Sequence, residues 1–156
     1  MTVECPLLDW AEGQLACCRL CPRPCRGNRR SGQTGRCGAG AEVRWFLEYV
    51  GYGEEPELTP SHTLFLAGCS LGCVFCHTAD DAARLPHQVL TSAALRGMVA
   101  RGRDEGAINL NLLVGEPSIH LPGLLRLFAA CAEPLPPIVW NTSRSEERRV
   151  GKACRP

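Results

Sequence analysis

Long apolar runs are missing from this chain. None approaches the roughly 20 residues that a membrane-spanning helix requires, and the opening MTVECPLLDW lacks the basic-then-apolar order of a secretory leader. A cytoplasmic protein with no membrane partner is therefore expected. An excess of one charge is missing as well. With 17 basic and 16 acidic residues, the formal net charge is +1, which gives no reason to expect a nucleic-acid partner. A third absence is the even spread of cysteines seen in secreted disulfide scaffolds.

Cysteine itself is abundant, with 11 among 156 residues. Cys17, Cys18, Cys21, Cys25 and Cys37 crowd near the start, and Cys69, Cys73 and Cys76 form a second group. Thiols separated by two or three residues in a reducing compartment point to metal or iron–sulfur ligation. The remainder, 45% hydrophobic and 21% charged, reads as ordinary globular protein. Its length suits one domain with a core, or one domain and a small appendage.

Four stretches follow from the pattern. Residues 1–40 form an irregular Cys-rich metal-binding module with a short helix through LLDWAEGQLA. Its Pro- and Gly-broken loops bury too little apolar surface to order themselves, so a metal is the expected organiser. Residues 41–61 are a connector, in which EVRWFLEYV reads as a strand and GYGEEPELTP as turns. Residues 62–143 alternate strand and helix. HTLFLAG, AINLNLLVGEP and PPIVWNTS are the strands, while TSAALRGMVARG and HLPGLLRLFAACAEP are the helices.

Within these elements, Leu95, Met98 and Val99 share one helical face, and Leu121, Leu124, Leu125 and Phe128 form the stripe of the next helix. Alternation puts Ile108, Leu110 and Leu112 on one side of the second strand, with Asn109 and Asn111 on the other. The fold class is α/β, with crossovers long enough for parallel pairing. In such folds chemistry gathers at the carboxyl ends of the strands. The three-cysteine loop, Gly115-Glu116-Pro117 and Asn141-Thr142-Ser143 all fall there.

The last stretch, residues 144–156, is expected to be foreign, because RSEERRVGKACR is close to the translation of a common sequencing adapter. Five basic and two acidic residues go with it, leaving 12 against 14, and Cys154 goes too. The natural frame is then expected to run on past Ser143, making the chain a fragment.

Cys69, Cys73 and Cys76 are spaced C-x3-C-x2-C. Three thiolates on one loop hold three irons of a 4Fe–4S cube and leave the fourth open to an exchangeable molecule that offers an amine and a carboxylate. Gly68 and Gly72 permit the tight path this requires. Cys18, Cys21, Cys25 and Cys37 are spaced C-x2-C-x3-C-x11-C, four thiolates that complete either a structural zinc or a closed iron–sulfur cluster. Cys17 reads as a spare thiol, and Cys5 and Cys131 as small buried side chains. Arg19, Arg23, Arg26, Arg29, Arg30 and Arg36 read as a solvated basic face or as neutralisers of a polythiolate site. Glu54 and Glu55 belong to a solvated turn, and His62, His87 and His120 to surface or loop positions. Asn141 suits a cofactor contact or a turn equally.

CSLGCVFC resembles the cluster motif of the radical S-adenosylmethionine superfamily, including the aromatic Phe75 before the last cysteine. LLVGEP resembles its Gly-Gly-Glu motif, with Val114 in place of the first glycine. Together with CRLCPRPCRGNRRSGQTGRCGAG at residues 18–40 and GEEPELTPSHTLFLAGC, the chain is similar to proteins related to pyruvate formate-lyase activating enzyme.

The resemblance implies the first half of a partial (β/α) barrel. It also implies that a 4Fe–4S cluster on Cys69, Cys73 and Cys76 cleaves S-adenosylmethionine to a 5′-deoxyadenosyl radical for hydrogen abstraction. Phe75, Gly115, Glu116 and Asn141 would seat the cofactor. An electron donor such as flavodoxin or ferredoxin, and a protein substrate that receives a glycyl radical, are the implied partners. His77 departs from the glutamine common in these relatives, and the missing half would carry the rest of the cavity, so the fragment alone is not expected to turn over. The competing readings are a closed zinc site on Cys69, Cys73, Cys76 and His77, a non-catalytic zinc-binding interaction module, and a small iron–sulfur electron carrier.

Overall fold

The stretch SHTLFL has no outward-facing position: all six residues of strand β2 (Ser61–Leu66) are buried. A strand covered on both faces belongs inside a sheet. The computed structural model of the chain describes residues 6–23, 25–83, 87–131 and 133–143. Strand β1 (Arg44–Gly51) lies antiparallel to β2, with Tyr49 opposite Thr63 and a bulge between Trp45 and Leu47. The two-residue β3 (Gln88–Val89) pairs antiparallel with the start of β1. On the other side of β2, β4 (Asn109–Leu112) runs parallel to it, and β5 (Ile138–Trp140) runs parallel to β4. The sheet order is β3-β1-β2-β4-β5.

The three strands expected to run parallel do so, within a five-stranded sheet that is mixed and open. EVRWFLEYV is no mere connector. It supplies the antiparallel neighbour that covers one edge of β2, so residues 41–61 belong to the sheet.

Helix α3 (Ser92–Asp104) starts where the Thr91 hydroxyl accepts the Ala94 N–H at 3.1 Å. Its buried face is Leu95, Met98 and Val99, as the spacing requires, with Gly102 added. Gly102 is there because His62 leaves no room: a Cβ would lie 2.4 Å from its Nδ1. Helix α4 (Leu121–Ala129) follows a tight turn of residues 117–120 and buries Leu124, with Leu127 and Phe128 against the core. Both helices cover the sheet face that carries Leu64, Leu66, Leu110 and Leu112. Each such side chain contributes about 1.5–3 kcal/mol on burial. Ile108 does not join that row; it precedes β4 and is 48% exposed. The short α1 (Pro6–Gly13) packs on α4, where Glu12 pairs with Arg126. A five-residue α2 (Ala79–Ala83) follows the cysteine loop.

Two histidines expected at the surface lie inside. His62 is buried and its Nε2 lies 2.6 Å from Glu48, which also pairs with Arg101. His120 is buried against the Ala67 carbonyl. A central strand and a helix-leading turn have no solvent side, so the lack of ligand partners did not imply exposure. His87 is half-buried, its ring 5.4 Å from that of Phe46. Among the described residues, no helix is long and apolar enough to cross a membrane.

Candidate functional site

Strand β2 is followed by Ala67-Gly68, and the cysteine loop leaves from there. Cys69 is half-buried; Cys73, Phe75, Cys76 and His77 are exposed, Phe75 at 79%. The root of the loop is pinned. Cys69 N–H donates to the Cys37 carbonyl at 3.1 Å, and the Leu71 N–H points at Cys69 Sγ at 3.5 Å. A turn from Cys73 O to Cys76 N then folds the tip back. Gly68, at φ +92°, has the Cys37 carbonyl where a Cβ would stand, 2.8 Å away. Only glycine fits that approach.

The end of β4 laces onto this root. Leu66 N–H donates to Val114 O and Glu116 N–H to Gly68 O, both at 3.2 Å. Gly115 sits at φ +77°, its missing Cβ directed at the Leu66 and Gly68 carbonyls, 2.5 and 2.8 Å away. Val114, at φ +27°, holds a conformation that branched residues rarely adopt. That strain, of the order of 1–3 kcal/mol, is the cost of a valine where the resemblance places glycine.

Glu116 is 1% exposed, yet its carboxylate is well supplied with donors. Oε1 accepts from the Ser118 N–H at 3.1 Å and the Thr142 hydroxyl at 2.5 Å; Oε2 accepts from the Ser143 N–H at 3.2 Å and its hydroxyl at 2.7 Å. Burial alone would raise its pKa, but the hydrogen bonds from Thr142, Ser143 and Ser118 outweigh it and hold the carboxyl below its ordinary range. Four donors match the roughly four lone-pair positions of a carboxylate. Glu116 thereby ties the ends of β4 and β5 together. Asn141 is not in this knot: it is exposed, and its backbone N–H bonds Leu112 O.

Cys69 senses the same group of residues. Burial pushes its thiol up; the Leu71 N–H counteracts in part, and the Glu116 carboxylate with Cys73 and Cys76 pushes it further. A thiolate here would lie near the Glu116 carboxylate, an arrangement that a cation relieves.

The N-terminal cysteines are not a separate body. Cys21 and Cys37 pack with Ala39 and Ile119 in a small buried cluster. Cys18 is buried and Cys25 exposed, their thiols within hydrogen-bonding reach. Burial raises the Cys18 thiol; the Leu20 backbone and Arg29 oppose this, and Cys25 adds to it. Gly35 separates two more of the group: a Cβ there would lie 2.6 Å from Cys25 Sγ and 3.9 Å from Cys37 Sγ. All four thiols therefore belong to one neighbourhood, a soft donor set that suits zinc or an iron–sulfur cluster. Among the described residues, no three His, Cys, Asp or Glu side chains converge on one metal position, at either cysteine group. Cys17 is exposed, Cys131 half-buried, and Cys5 lies outside the described residues.

Arg29 corrects the expectation of a solvated basic face. It is 2% exposed and reaches the Ile119 carbonyl at 2.7 Å. Arg23 reaches the Leu71 carbonyl at 3.3 Å, a second tie between the module and the loop. The Thr142 and Ser143 hydroxyls and the Ser118 N–H were not foreseen from the sequence as partners of Glu116. Hydroxyl residues at a strand end opposite a buried acid were the available signal. Asn111 is a further case: fully buried, with neither amide atom paired.

The comparisons add one relative. An uncharacterized protein of Methanocaldococcus jannaschii is 29% identical over 132 residues, covering 81% of this chain. The chain spans 38% of that relative's length. No family model and no solved structure matches the chain.

Proposed function

We propose that this chain carries the cluster-binding part of a radical S-adenosylmethionine enzyme, resembling activating enzymes that install glycyl radicals on a protein substrate. The observation that supports it most is that the loop carrying Cys69, Cys73 and Cys76 and the segment carrying Glu116 follow adjacent parallel strands, β2 and β4, and are joined by the Glu116 N–H to Gly68 O bond. The C-x3-C-x2-C spacing supplies three thiolates and no fourth. When bound there, a 4Fe–4S cluster supplies a low-potential electron and one open iron for S-adenosylmethionine, whose carbon–sulfur bond is then broken for hydrogen abstraction.

The chain's own residues have distinct tasks. Cys69 would hold the cluster from the β2 root, with exposed Cys73 and Cys76 as its other two thiolate ligands. Phe75 offers an apolar face that a bound cofactor would cover. Gly115 lets the β4 backbone approach the loop, and Glu116 holds the Thr142 and Ser143 hydroxyls at the rim, where an amino group could be received. Asn141 lies beside them at the exposed end of β5. The unpaired amide of Asn111 lies away from the helix-covered side of the sheet and would be satisfied by a polar ligand. Cys18, Cys21, Cys25 and Cys37 form a second centre, holding zinc or a closed cluster. A flavodoxin- or ferredoxin-like donor, and a cytoplasmic location, complete the proposal.

Anaerobic reconstitution with iron and sulfide tests it. Iron and sulfide should fill the loop, and adding S-adenosylmethionine should change the electron paramagnetic resonance spectrum of the reduced protein. Replacing Cys69, Cys73 or Cys76 by Ala should abolish both effects. Zinc in the loop, or iron content in the variants equal to that of the unsubstituted protein, would refute the proposal.

A further inference from the structure

A guanidinium stays protonated at any pH a folded protein meets, so burying one away from an anion is costly. Among the described residues, Arg29 is the sole buried arginine, and no carboxylate stands within ion-pair distance of it. Its Nη1 donates to the carbonyls of Ile119 and Gly40, at 2.7 and 3.4 Å, and its Nε is buried with no partner. The remaining contact is sulfur: Nη2 lies 3.5 Å from Cys37 Sγ. Local structure places it there. The Asn28 side chain accepts the Arg30 and Ser31 N–H groups, setting the turn Arg29–Ser31 that turns Arg29 inward.

We infer that Arg29 is the buried counter-cation of a thiolate–metal centre formed by Cys18, Cys21, Cys25 and Cys37. The inference rests on the second centre proposed above and adds the residue that neutralises it. Four thiolates around one divalent ion carry a surplus of about two negative charges. A guanidinium against Cys37 offsets part of that surplus in the low-dielectric interior, where it counts most. The same guanidinium holds Ile119 O, which belongs to the turn after Glu116. Metal loading and the seating of residues 18–40 against the sheet are therefore one coupled event.

Cobalt(II) is the probe, because its thiolate charge-transfer absorption reports how many cysteines bind. The full chain is used with Cys69, Cys73 and Cys76 replaced by Ser, so that only the N-terminal group responds. This parent should bind one cobalt with a four-thiolate spectrum. Arg29→Met should bind it at least tenfold more weakly, with a smaller rise in melting temperature on loading, and Arg29→Lys should recover part of both. Should Arg29→Met fail to fold, Arg29→Gln, which can still donate to the Ile119 carbonyl, takes its place.

A parent with no four-thiolate band overturns this inference and, with it, the zinc form of the second centre. A parent that binds, with neutral variants of unchanged affinity and unchanged thermal response, overturns the inference alone. Neutral variants that remain unfolded even with cobalt make Arg29 a packing brace, and that also overturns it.

Discussion

His120 carries its proton on Nε2, since that nitrogen faces the Ala67 carbonyl at 2.7 Å and a carbonyl can only accept. Burial pushes its pKa from 6.5 down to about 4; the Ala67 bond and Glu116 pull upward, and Arg29 pushes further down. The sign of the linkage follows. Below pH 6.5 the unfolded chain takes up a proton that the folded one refuses, so stability is intact above that value and falls as pH drops toward 4. At about 1.36 kcal/mol per unit, the loss between pH 7 and pH 4 is about 3 kcal/mol. Glu116, whose pKa is lowered, extends the loss further into acid. Urea unfolding at the two pH values measures it. His120→Gln, which can keep a donor on the Ala67 carbonyl, should flatten the pH dependence; an unchanged slope would show that His120 is not its source.

At the scale of elements, the site is an outcome of how β2 and β4 end. Their parallel register puts Leu64 beside Leu112, and the next residues of each strand cross-bond through Leu66, Val114, Gly68 and Glu116. Gly115 is the point of closest approach, and the atoms opposing it are backbone, which cannot turn aside. Gly115→Ala should therefore cost about 2 kcal/mol or more in stability and, under the proposed function, lower iron retention at the cysteine loop, measured on the same preparation. Retained iron with wild-type stability would show that the two strand ends are not in contact. Most of these elements were legible in sequence. TSAALRGMVARG declared its buried face, and HTLFLAG its strand, because helix and strand periodicities are written over a few adjacent residues. The pairing of β1 with β2 was not legible, since nothing within RWFLEYVG names its partner.

For the whole molecule, the N-terminal module and the sheet share one boundary. Cys37 O receives the Cys69 N–H, Arg29 reaches Ile119, and Arg23 reaches Leu71. The expected separation into residues 1–40 and 62–143 therefore understates the architecture, in which the first cysteine group braces the root of the second. Hydrogen exchange resolves this. Replacing Cys18, Cys21, Cys25 and Cys37 by Ser should speed exchange of the Cys69 amide at least tenfold, while amides of β2, at the centre of the sheet, keep their protection. An unchanged Cys69 amide would mean that the module does not support the loop.

Spacing alone determined which residues were worth suspecting: the C-x3-C-x2-C and C-x2-C-x3-C-x11-C groups, Gly115 and Glu116 are local patterns, and ligation geometry is local too. It also determined the order of strands and helices. Tertiary structure alone decided the partners. Glu116 lies 26 residues from Thr142, and Arg29 lies 90 from Ile119. Whether a charge is solvated or buried depends on what the fold brings over it, and no short window of sequence records that. The buried guanidinium beside Cys37, the acid knotted to two hydroxyls and the histidine held neutral exist only because distant segments meet at the rim of one sheet.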